Sequence, residues 1–92
     1  MSGGHFQYDQ YKIGYIADKI EQLIATNGSE ELDRWGDKKF SSFSDETVEQ
    51  FKKSLLVLRQ AQAYAHRIDW LVSGDDGEDS FHIRLKNDLE KL

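Results

Sequence analysis

Apolar positions along the first third of the chain recur every three or four residues. Ile13, Ile16, Ile20, Leu23 and Ile24 fall on one stripe, and the spacing predicts a helix from about Tyr8 to Thr26. Asn27-Gly28 supplies its stop, because glycine accepts the left-handed backbone that ends a helix. The pattern then loses its period. Residues 28–43 read as an irregular loop, with a short helix expected over Ser29–Trp35, broken at Gly36, and with Trp35, Phe40 and Phe43 expected to pin the loop to the core.

The helical period returns after Ser44. Serine is a good N-cap, and Asp45 and Glu46 suit the positive end of the helix dipole. No breaker follows until Ser73, so the second helix is about 28 residues, or roughly 42 Å, long. Its first apolar stripe is Val48, Phe51, Leu55 and Leu58. Its second, rotated by more than a quarter turn, is Ala61, Tyr64, Ala65, Ile68, Leu71 and Val72. A helix with two apolar faces is expected to be the central strut. Ser73-Gly74-Asp75-Asp76-Gly77 has the chemistry of a tight turn between helices. A last helix from about Glu78 to Leu92, with Phe81, Leu85, Leu89 and Leu92 on its core face, should fold back on the second. The expected fold is all-α: a single domain of three main helices, preceded by a segment over residues 1–7.

Composition narrows the functional classes. Lys plus Arg number 12 and Asp plus Glu 17 in 92 residues, giving a net charge of -5. The basic pairs Lys38–Lys39 and Lys52–Lys53 are isolated, so no phosphate-tracking surface is expected and nucleic acid is not an expected partner. The chain has no Cys, which removes thiolate catalysis and thiolate metal sites. No apolar run approaches the length of a membrane span, and Met-Ser-Gly-Gly-His lacks the basic-then-apolar order of a signal peptide. The expected location is the cytoplasm.

Tyr8, Tyr11 and Tyr15 share a second face of the first helix, roughly 150° from the isoleucine stripe. His5, Phe6 and Gln22 lie near it in sequence. Aromatic groups set apart from a core face point to a subunit interface, with packing inside the monomer and ligand stacking as alternatives. Two short partner helices do not cover so much apolar surface, so a homo-oligomer, in the first instance a dimer, is expected.

A polar constellation flanks the turn. His66-x-x-Asp69 precedes it and Asp79-x-x-His82 follows it, and an antiparallel hairpin would bring the pairs to similar heights. Such a quartet could hold a divalent metal, but the Glu-x-x-His signature of helical carboxylate sites is missing. A hydrogen-bonded network bracing the hairpin is the expected role, with no metal and no cofactor. The acidic run Asp75–Asp79 does not meet calcium-loop spacing and is explained by the dipole of the last helix. Glu46-x-x-Glu49 has no second acidic motif to complete a nucleotide pyrophosphohydrolase site. Phosphate-binding loops and nucleophile elbows are also missing, so no enzyme is expected.

Two segments carry a resemblance. The opening Ser2-Gly3-Gly4-His5-Phe6-Gln7-Tyr8-Asp9-Gln10-Tyr11 is one, and Ile68-Asp69-Trp70-Leu71-Val72-Ser73-Gly74-Asp75-Asp76-Gly77-Glu78-Asp79-Ser80-Phe81-His82 is the other. Both resemble a group of short proteins encoded by bacteriophages, prophages and other bacterial mobile elements. The resemblance implies a non-catalytic phage accessory protein in the bacterial cytoplasm, binding a host protein or acting through homo-oligomerisation. The alternative is a nucleotide-sequestering protein or a metal-dependent hydrolase built on His66, Asp69, Asp79 and His82.

Overall fold

The structure is a computed structural model and describes residues 6–40 and 42–92. Three helices follow in order: α1 (Gln10–Thr26), α2 (Asp45–Val72) and α3 (Glu78–Glu90). The expected all-helical fold, with a long central helix and a C-terminal helical hairpin, is present. The Ser44 hydroxyl caps α2 by accepting from the Thr47 backbone N–H at 3.3 Å. Gly28 and Gly74 hold φ of 74° and 84° after the first two helices, the left-handed geometry that ends each one. The helix α1 begins later than Tyr8, because Gln7 and Tyr8 are themselves left-handed, with φ of 55° and 63°.

The loop differs from expectation. Ser29–Trp35 is not helical. Asp33 organises the segment instead: its Oδ1 accepts from the backbone N–H of Trp35 at 2.8 Å and of Asp37 at 3.1 Å. Leu32 and Lys38 form an isolated antiparallel bridge across this turn. A short acid competing for nearby backbone donors favours such a turn over a helix. Trp35 does not reach the core; it is 72% exposed at the loop tip, under the Arg34 guanidinium at 4.4 Å. Phe43 does anchor the loop, edge-on to Phe51 at 5.3 Å. Asn27 ties it to the end of α1, accepting from the Phe43 N–H at 2.7 Å and donating to its carbonyl at 3.3 Å.

Both α1 and α3 pack on α2, and among the described residues they do not pack on each other. The molecule measures 55 × 25 × 15 Å, so it is little more than one helix thick. That single layer decides what is buried. The line of α1 facing α2 is Gln10, Gly14 and Ala17, not the isoleucine stripe. A Cβ on Gly14 would stand 2.5 Å from the Gln62 amide, so the missing side chain leaves room for the end of Gln62 between α1 and α2. Ile16 and Leu23, expected in the core, are 50% and 44% exposed, and Ile13, Ile20 and Ile24 are half-buried. Among the described residues no second layer covers them. On α3, Phe81, Leu85 and Leu89 are half-buried, while Leu92 is exposed.

Candidate functional site

The site begins at Asp69, which is fully buried on α2. Its Oδ1 accepts from the backbone N–H of Phe6 at 3.0 Å, and its Oδ2 accepts from Gln10 Nε2 at 3.1 Å. A buried carboxylate requires such donors. These bonds hold the turn over residues 6–9, in which two successive non-glycine residues are left-handed. That conformation costs roughly 1–2 kcal/mol per residue. The strain displays a side chain and does not bury one. Tyr8 stacks on Tyr11, with ring centroids 6.3 Å apart and planes at 23°.

The aromatic tier continues across the helices. Tyr11 stands 6.2 Å from the His66 ring, and His66 stands 5.3 Å from Trp70. Tyr8, Tyr11 and Tyr15 remain 49%, 54% and 62% exposed. Tyr15 lies under the Lys19 ammonium at 5.2 Å, and Gln22 is exposed further along α1. Beside this tier an open groove of about 430 Å³ runs between α1 and the end of α3, with α2 as its floor; Tyr11, Arg59, Gln62, His66, Asp88 and Lys91 are among its lining residues.

The groove is polar at its edges and internally neutralised. Arg59 donates to Asp18 at 2.7 Å and to Glu21 at 3.2 Å, joining α2 to α1. Those bonds, the Asp18 bond foremost, raise the Arg59 pKa against the opposing effect of burial. Arg67 grips Asp88 with two bonds, 2.6 Å and 3.3 Å, joining α2 to α3. Its guanidinium holds the Asp88 carboxyl below the usual carboxylate range. Both pairs favour the charged forms and brace helices. The buried His66 Nδ1 has no hydrogen-bond partner among the described residues.

The candidates named from sequence divide. Tyr11 and His66 line the groove together, and Tyr8 stacks on Tyr11. Phe6 points elsewhere, lining a second, almost wholly apolar cavity of about 450 Å³ with Asp9, Gln10, Ile13 and Ala65. His5 lies outside the described residues, as does the rest of the segment 1–5. The quartet His66, Asp69, Asp79 and His82 is not assembled as a network across the hairpin. Asp69 faces α1, while Arg67, two positions earlier and therefore on nearly the opposite side of α2, faces α3. Asp79 is exposed, and His82 is exposed with its ring edge-on to Phe81 at 5.1 Å. Among the described residues, no group of three or more His, Asp or Glu is placed to hold a metal ion. At the turn, Asp76 accepts from Ser80 Oγ and lies 3.5 Å from Arg84, which makes the acidic run a helix start.

Gln10, Arg59, Arg67 and Asp88 were not readable as site residues, since their partners lie 21 to 59 positions away. Among the described residues no helix is long and apolar enough to cross a membrane. No protein family, curated protein or solved structure matches the chain.

Proposed function

We propose that this chain is a small, non-catalytic, homo-oligomeric binding protein, of the phage-accessory kind its terminal segments suggest, that recognises a host protein in the bacterial cytoplasm through its aromatic groove. One observation carries the reading: backbone strain at Gln7 and Tyr8 is spent on holding Tyr8, about half exposed, stacked on Tyr11 of the groove wall. Strain retained at an exposed position is commonly tied to recognition. Tyrosine suits it, with a large apolar ring and one polar tip on a stiff side chain. The groove's Arg59 and Asp88 are already held in ion pairs with Asp18 and Arg67, which fits recognition better than proton transfer.

The test is affinity capture from infected bacteria with wild-type protein and with a Tyr8→Ala, Tyr11→Ser double variant. The captured host protein should be lost with the double variant while circular dichroism stays unchanged. Equal capture by both would sink the reading. The groove volume also lies in the range of small-molecule sites, and Tyr11 with His66 could flank a base. A melting-temperature rise with ATP or a cyclic dinucleotide, abolished by Tyr11→Ser, would favour nucleotide sequestration instead.

A further inference from the structure

The side of α2 turned away from both neighbouring helices carries Val57, Ala61, Tyr64 and Ile68. Gln62 faces α1 and Arg67 faces α3. At about 100° per residue, Ile68 lies about 120° from the first and about 100° from the second. Val57 is 60% exposed, Tyr64 46% and Ile68 37%.

We propose that this seam pairs with the same seam of a second copy, antiparallel, across a twofold axis between Ala61 and Tyr64. The inference rests on the homo-oligomeric part of the function proposed above and adds the face, the partner and the orientation. Three observations carry it. First, the spacing 57, 61, 64, 68 alternates four, three and four, the 3.5-residue period of a helix–helix seam. That spacing reads the same in both directions, so antiparallel pairing sets Val57 against the partner's Ile68 and Ala61 against the partner's Tyr64. The small residue then receives the large one. Parallel pairing would set tyrosine on tyrosine and leave alanine facing alanine.

Second, the chain carries 17 acidic residues, yet none lies between Gln50 and Ile68. Two copies of a protein with net charge -5 can therefore meet here without carboxylate facing carboxylate. Third, Val57, Tyr64 and Ile68 stay exposed on one side of a layer only 15 Å thick, where no helix of the described residues lies over them.

The chain has no natural cysteine, so single thiols report the geometry. Val57→Cys and Ile68→Cys are prepared separately and oxidised alone and mixed, beside light scattering of the wild-type chain. The mixture should give the Val57–Ile68 heterodisulfide, while each variant alone stays uncrosslinked, since like positions would stand about 16 Å apart along the axis, beyond disulfide reach. Light scattering should give twice 10.7 kDa. Ile68→Lys, at an exposed position, should restore the monomer mass with helicity unchanged. Rapid crosslinking of Val57→Cys alone would mean parallel pairing and overturn the proposal. A doubled mass without the heterodisulfide would overturn this seam but keep the oligomer; a monomer at high micromolar concentration would overturn both. None of these outcomes bears on capture through the groove.

Discussion

Asp69 shows how one side chain organises the site. It is the only fully buried large side chain among the described residues, and its described partners come from the segment that presents Tyr8. Asp69→Ala removes acceptors from buried donors and should cost about 2–3 kcal/mol in urea unfolding. Asp69→Asn should cost less. The Gln10 Oε1 has no partner among the described residues, so a turned amide can accept from the new asparagine. Gly14 makes the complementary case. Gly14→Ala meets only the mobile tip of Gln62 and gains helix propensity, so its stability should stay within about 1 kcal/mol of wild type. Gly14→Leu should destabilise by roughly 1–3 kcal/mol, because α1 must move away from α2.

Paired charges join the helices beside the apolar packing. The Arg67–Asp88 pair joins α3 to α2, and the guanidinium lowers the carboxyl pKa. A carboxyl whose folded pKa is depressed stabilises the fold above its unfolded value, and loses that contribution as pH falls through the folded one. Asp88→Asn should therefore be less stable than wild type near neutrality, by about 1–2 kcal/mol. The gap should close as pH drops below the ordinary carboxylate range, and thermal melts across pH 2–7 measure it. On α1, exposed Ile16 behaves differently from a core residue. In dilute solution Ile16→Ala should cost no more than about 1 kcal/mol, against roughly 2–4 kcal/mol for a buried isoleucine.

The whole molecule is a single layer of helices, with an aromatic groove on one side and aliphatic residues of α1 and α2 on the other. Its radius of gyration is 17.6 Å, whereas a spherical chain of this length has about 12 Å. A fold that buries so little alone should draw stability from association. The melting temperature should rise by roughly 5 °C or more over a hundredfold increase in protein concentration. A melting temperature independent of concentration would mean that the flat layer is stable by itself.

The three helices, their caps at Ser44 and Gly28 and the turn at Gly74 were legible in sequence, because period, capping and left-handed backbone are local properties of a few neighbouring residues. The exposed face of Tyr11 and Tyr15 was legible for the same reason, whereas Tyr8 lies before α1 in a left-handed turn that period does not foretell. Local sequence also suggested a helix at Ser29–Trp35, where the Asp33 side chain instead closes a turn. Tertiary structure alone decided which stripe met which. Periodicity marks the isoleucines as apolar but cannot say whether a layer covers them, and the docking of α1 on α2 turned the Gln10–Ala17 line inward instead. It likewise sent Asp69 to α1, separating it from Asp79 and His82, because residues two apart on a helix face opposite neighbours and only the placement of α1 and α3 settles which neighbour each one meets.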